Sequence, residues 1–181
     1  MLYLAAYEGK SFISKMIRKI TRDNESHVSI VTDEMIEYEA WHKSSRTKWY
    51  RPFTGCFQKV PFGKNHTPGT HFTLYSIPLT ENQEQKAIKI LEDWANKRIP
   101  YDYVGPTRFV SLVDRGNKEK MFCSESVMRL CRKIGFNLLV RVEDWLVTPA
   151  MTTYSPLVNF YCEFKIGDPI ILKKCYKSCK I

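Results

Sequence analysis

Apolar residues from Leu2 to Tyr7 form a short run ending at Gly9, which predicts a strand. Ser11 follows as a helix cap. Phe12, Ile13, Met16, Ile17 and Ile20 then recur at helical spacing, leaving Lys15, Arg18 and Lys19 on the wet face. Two alternating runs, His27 to Thr32 and Met35 to Trp41, flank Asp33-Glu34 and predict a β-hairpin. Further strands are expected at Phe57 to Val60 and Phe72 to Ile77. Thr80 with Gln83 has the spacing of a capping box, opening a helix whose Ala87, Ile88, Leu91, Trp94 and Ala95 share one apolar stripe and which stops before Pro100.

A loop from Pro100 to Lys120, containing Gly105, Pro106 and Gly116, leads into Phe122-Cys123-Ser124-Glu125-Ser126. Val127, Leu130, Cys131 and Ile134 repeat at helical spacing from there, and Gly135 reads as the stop, so Cys123 sits at the start of a helix. The remainder reads as short strands and loops, including Glu163 to Ile166 and Pro169 to Leu172. No repeat or low-complexity linker divides the chain. The expectation is one α+β domain over residues 1–181, a small antiparallel sheet or partial barrel packed against helices, with a Lys/Cys-rich tail at about 173–181.

The hairpin pattern also assigns faces. If Val28 and Ile30 share an apolar face with Ile36, Tyr38 and Ala40, then His27, Ser29 and Val31 lie on the other with Met35, Glu37 and Glu39. A three-residue loop, Thr32-Asp33-Glu34, satisfies this and sets His27 directly across from Glu39. Glu37 is the reserve partner.

Those positions suggest chemistry. A thiol at a helix N-terminus meets unpaired backbone N–H groups and the positive end of the dipole, which favour a thiolate and could also hold the oxygen of a tetrahedral intermediate. The competing reading of Cys123 is a small buried apolar residue. A thiol nucleophile needs a base, and the chain has four histidines: His27, His42, His66 and His71. His27 is selected by its partner Glu39, since a carboxylate on one imidazole nitrogen fixes the tautomer and frees the other to take the thiol proton. The competing reading is a cross-strand His/Glu pair on a wet face. His42, His66 and His71 are read as surface residues.

Composition narrows the setting. With 181 residues and 44% hydrophobic content, a sizeable core needs neither disulfides nor metals. The start of the chain does not read as a secretory signal and no stretch is long and apolar enough to span a bilayer, so a cytoplasmic location is expected, with Cys56, Cys123, Cys131, Cys162, Cys175 and Cys179 reduced. Cys175 and Cys179 do not complete a tetrahedral metal set, and P-loop, GxGxxG and H-E-x-x-H signatures are absent; no metal and no cofactor are expected. A formal charge of +9 points either to plain solubility or to an anionic polymer or membrane surface as partner, with no specific nucleic acid expected.

Five segments in order then resemble a known group: Gly9 to Arg18, Ser26-His27-Val28-Ser29-Ile30-Val31, Tyr38-Glu39-Ala40, Pro100-Tyr101-Asp102-Tyr103 and Phe122-Cys123-Ser124-Glu125-Ser126-Val127. Together they resemble the YiiX-like families, circularly permuted papain-fold relatives of the NlpC-type peptidases and of the lecithin-retinol acyltransferase group, in which the histidine precedes the cysteine. The resemblance implies a permuted papain-like fold, with Cys123 as nucleophile, His27 as base and Glu39 as third member. Tyr101, Tyr103 and Ser124 would assist substrate or oxyanion binding. Ser126 stands where the family commonly has a bulky apolar residue. The Asn-Cys-Glu-His of the lecithin-retinol group is not matched by Phe122 to Glu125. Amide or peptide hydrolysis through a thioester is the leading expectation. Ester or lipid acyl hydrolysis by the same residues, and a non-catalytic binding module with a basic surface, are the alternatives.

Overall fold

The protein is described by a computed structural model, covering residues 1–43, 54–105 and 119–168. In chain order the elements are β1 (Leu2–Glu8), α1 (Phe12–Thr21), β2 (His27–Thr32), β3 (Ile36–Lys43), β4 (Thr54–Pro61), β5 (His71–Ile77), α2 (Glu81–Lys97), α3 (Cys123–Ile134), a 3-10 turn at Asp144–Leu146, α4 (Pro149–Thr153) and β6 (Asn159–Lys165). The strands form a six-stranded sheet in the order β4-β3-β2-β1-β5-β6, each neighbouring pair antiparallel. This is an α+β architecture.

β1 and β2 occupy the middle of the sheet because they can bury both faces. Leu2, Leu4 and Ala6 point to one side with Val28, Ile30, Tyr38, Ala40 and Phe57, and there meet α2 and α3 through Leu91, Trp94, Val127, Leu130 and Ile134. Ala5 and Tyr7 point to the other side with Val31, Phe72 and Leu74, over which Phe62 and Phe164 pack. Each fully buried Leu or Phe of this double core contributes about 1.5–3 kcal/mol by its removal from water.

The helix ends follow their local chemistry. Ser11 caps α1 by accepting from the Ser14 N–H, and the Thr80/Gln83 capping box closes on α2 in both directions. Gly135, at φ 76°, takes the left-handed conformation that ends α3. α4 lay in a stretch read as strands and loops; its local signal is Thr148 as cap with Pro149 in the first turn. Glu163 to Ile166 falls largely within β6, whereas Pro169 to Leu172, Pro106, Gly116 and the tail 173–181 lie outside the described residues. No helix among the described residues is long and apolar enough to cross a membrane.

The hairpin register differs from expectation by two residues. Ile30 pairs with Tyr38 and Val31 with Glu37, where a Thr32-Asp33-Glu34 loop would have set Val31 opposite Met35. The loop slides to Asp33-Glu34-Met35 because Met35 accepts the left-handed conformation (φ 59°) and donates its N–H to the Thr32 carbonyl. Since the slip is an even number, every side chain keeps its face. Glu39 is therefore diagonal to His27 instead of directly opposite.

Candidate active site

Cys123 is the first residue of α3, and its approach is fixed from behind. Tyr101 bridges to Met121 in parallel fashion, Asp102 donates its N–H to the Met121 carbonyl, and Met121 donates to the Pro100 carbonyl, so residues 100–102 brace the chain two residues before the cysteine. Ser126 donates its N–H to Phe122 and its hydroxyl to the Cys123 carbonyl, closing the first turn. α3 packs across β2 and β3, which brings its N-terminus to the end of β2 where His27 begins the strand.

There the cysteine and the histidine meet. The Cys123 thiol lies close enough to His27 to act on its titration, and His27 Nε2 stands 2.9 Å from Glu39 Oε2, which leaves the other ring nitrogen, Nδ1, free of the carboxylate. Burial by itself would lower the His27 pKa. The neighbouring Cys123 sulfur and the hydrogen-bonded Glu39 carboxylate outweigh it and raise the value to about 10. Glu39 is fully buried, which favours its neutral form, yet the hydrogen bond from His27 and the positive charge of both His27 and His66 hold it well below the usual carboxylate range. Its other oxygen, Oε1, accepts from Asn65 Nδ2 at 2.7 Å and Gln58 Nε2 at 3.4 Å. The sequence-derived trio Cys123, His27 and Glu39 is thus brought together in space.

Glu37, the reserve acid, is committed elsewhere. It accepts from Tyr7 and Ser29 hydroxyls, each at 2.6 Å, and from the Gly63 N–H at 2.9 Å. Tyr101 is buried, and burial with the nearby charge of Cys123 pushes its phenol well above the ordinary value, so it stays a neutral O–H near the sulfur. Tyr103 packs on the Tyr101 ring with centroids 4.9 Å apart. The Ser124 hydroxyl is engaged by the backbone. Fully buried, it donates to the Val147 carbonyl at 2.5 Å, because the second residue of α3 faces the 3-10 turn rather than the sheet end.

His66 departs most from the sequence reading. Taken as a surface residue, it is 8% exposed, stacked on Tyr7 with ring centroids 3.7 Å apart and edge-on to Trp41. The loop between β4 and β5 folds over the sheet face: Phe62 packs on Phe72, Gly63 binds Glu37, Asn65 binds Glu39, and His66 is carried in with them. Its proximity to two carboxylates raises its pKa against the effect of burial. His71 is half-buried between Glu8 and Glu163, and the side chain of His42 lies outside the described residues. Only the apolar anchor Phe62, five residues after Phe57, hinted that this loop turns inward.

One atom of the cluster is left over. His66 Nε2 is buried without a hydrogen-bond partner, 3.5 Å from Glu37 Oε1 and 3.6 Å from Glu39 Oε2. One ligand atom each from His27, Glu39 and His66 lies within 4.8 Å of the others, and two imidazoles with a carboxylate suit a zinc-class ion. The residues therefore fit a metal, at a place where none was expected.

Cys123 itself is 2% exposed, the burial expected of a small apolar residue. Cys131, equally buried on the same helix, lies among apolar neighbours, where burial pushes its thiol up to about 12. What separates the two is the imidazole on Cys123.

Comparison with known proteins gives a fold. No protein-family model matches the chain, and no curated protein matches it in sequence. Among solved structures, the crystal structure of the metalloprotein YiiX from Escherichia coli O157:H7 superposes with a TM-score of 0.59 at 14% identity, covering 90% of this chain and 96% of YiiX. This chain is built on the same fold as YiiX, over nearly its whole length.

Proposed function

We propose that the protein is a thiol hydrolase of permuted papain-like type, acting on an amide or peptide bond. The observation that carries the reading is the buried chain of contacts Cys123, His27, Glu39, assembled from a helix N-terminus and a hairpin 96 residues earlier in sequence. His27 Nδ1 takes the proton of Sγ, and the sulfur attacks the carbonyl carbon. Backbone N–H groups at the start of α3 and the neutral Tyr101 hydroxyl hold the resulting oxyanion. His27 then hands the proton to the leaving nitrogen, a thioester remains on Cys123, and water activated by the same imidazole releases the acid. Glu39 holds the ring in place and stabilises its charged form, while Asn65 and Gln58 hold Glu39. The burial of Cys123 means that residues over the sulfur part to admit substrate.

YiiX is described as a metalloprotein. In this chain His27, Glu39 and His66 are the residues that would hold such an ion, which when bound would supply Lewis-acid polarisation of a carbonyl or water. The thiol route uses only the chain's own groups. A non-catalytic reading has one observation in its favour, the 2% exposure of Cys123.

Electrophilic probes carrying peptidyl or fatty-acyl groups test both readings. The expected result is a single adduct on Cys123, abolished in Cys123→Ala and strongly reduced in His27→Ala, with the peptidyl probe preferred. Absence of any adduct, or labelling indifferent to His27, would leave the binding-module reading standing. A fatty-acyl preference would move the substrate to esters or lipids.

A further inference from the structure

The buried cluster on the sheet face opposite α2 and α3 contains more than the hydrolase reading uses. His66 Nε2 stands 3.5 and 3.6 Å from two carboxylate oxygens and bonds to neither. That is too long for a donor on its acceptor, but it is the spacing of neighbouring ligands on one ion: atoms about 2.0–2.1 Å from a tetrahedral zinc stand roughly 3.3 Å apart. His27 Nε2 and Glu39 Oε2 complete a set of three.

The surroundings are those of a ligand set. Glu39 Oε1 is held by Asn65 and Gln58, which leaves Oε2 to face the gap. His66 is clamped between the Tyr7 ring and the edge of Trp41, and Trp41 also stands edge-on to His27 at 5.1 Å, so all three donors are fixed by packing. A carboxylate and two neutral imidazoles leave one coordination position open.

We propose that His27, Glu39 and His66 form a site for a zinc-class divalent cation, and that its occupancy silences Cys123 by taking away the base. The switch rests on the hydrolase reading; the binding site does not. An imidazole whose Nε2 lone pair is on a metal carries its proton on Nδ1 and has no lone pair there for the thiol proton. His27 therefore serves either the ion or the sulfur. His66 is the residue that makes the difference, since it touches the cluster and not the cysteine.

The test uses the full chain stripped of metal by chelation, with Co(II) and Zn(II) as probes. Equilibrium dialysis should give one equivalent of either metal in the wild type and in Cys123→Ala, and at least tenfold weaker binding in His66→Gln. In the wild type the Co(II) spectrum should show d–d bands of a four-coordinate site with no sulfur-to-cobalt charge-transfer band, a readout independent of whether His66→Gln folds. Zn(II) should slow iodoacetamide labelling of Cys123 at least tenfold in the wild type, while at the same concentration His66→Gln is unaffected. A charge-transfer band, loss of metal in Cys123→Ala, retention of full affinity in a folded His66→Gln, or no binding at all overturns the site. Binding that leaves Cys123 labelling unchanged overturns the switch. If Cys123 in the metal-free protein labels no faster than Cys131, the hydrolase reading and the switch fall together, while the dialysis result still decides the site.

Discussion

Cys123 and Cys131 form a controlled experiment within one helix. Both are 2% exposed, so access alone predicts equal rates of alkylation. Their electrostatics differ. With its thiol pushed up to about 12, Cys131 is a thiolate in roughly 3 molecules per 100,000 at pH 7.5. An ordinary thiol, with a pKa of about 8.5, is a thiolate in roughly 1 molecule in 10 at that pH, about 3,000-fold higher occupancy, and a sulfur whose proton His27 takes should react at least as fast as that. A more basic thiolate is the better nucleophile, with a Brønsted slope of about 0.4–0.5, and this returns part of the difference, leaving a rate ratio on the order of 10² or more. Iodoacetamide labelling of the native protein followed by trypsin reads both sites separately: cleavage after Lys120, Arg129 and Arg132 places Cys123 and Cys131 on different peptides. His27→Ala should lower the Cys123 rate at least tenfold and leave Cys131 unchanged. Comparable rates for the two cysteines in the wild type would refute the activated-thiol reasoning, since burial has been matched.

Three further outcomes follow from the same geometry. Glu37→Gln should cost about 3 kcal/mol in urea unfolding, the scale for breaking a buried charged set at one member, because a fully buried carboxylate with three donors loses its charge; a cost under about 1 kcal/mol would show the network to be dispensable. Gly105→Ala should lower Cys123 labelling, since a Cβ there would stand 2.1 Å from the Phe122 ring and displace the residue that enters α3; an unchanged labelling rate would show that the ring yields without moving the thiol. Hydrogen bonds from Lys59 and Tyr38 hold Glu92 below its usual range, so its stabilising contribution is present above the unfolded carboxyl's pKa and lost as pH falls through the lowered value. The difference in urea midpoint between wild type and Lys59→Met should accordingly shrink from pH 6 to pH 3, and a constant difference would count against the pair.

Much of the fold was legible because it is written locally. The start of α3 at Cys123, its end at Gly135 and the Thr80 capping box all depend on residues within one turn of one another. The hairpin faces were legible for a similar reason, since period-two alternation survives a register slip of two. The register itself was not, because it turned on whether Met35, a residue without glycine's freedom, would take a positive φ. Cys123, His27 and Glu39 were singled out through helix position, strand alternation and an ordered resemblance. His66 was missed since its placement depends on a loop that the sequence marks as polar, with Pro68-Gly69 as a turn, and that is drawn inward by partners on other strands.

The need for His66 becomes clear from the charge balance of the site. Glu37 and Glu39 are both fully buried, and two carboxylates in one apolar wall are tolerated only with countercharge. His27 supplies one positive charge, but it also serves Cys123, so a second is required near the carboxylates. His66 meets that need, as an imidazolium when metal-free and as a ligand when an ion takes over the charge. His66→Phe keeps a ring to stack on Tyr7 and removes the charge and the nitrogen together. Its expected cost in the metal-free protein is ~3 kcal/mol, at the low end for breaking a buried pair because 3.5–3.6 Å is longer than a hydrogen bond. Calorimetry or urea unfolding measures it, and zinc should stabilise the wild type while leaving His66→Phe unchanged. A variant as stable as the wild type would mean that the hydroxyl, amide and backbone donors around Glu37 and Glu39 suffice, and that His66 fills space.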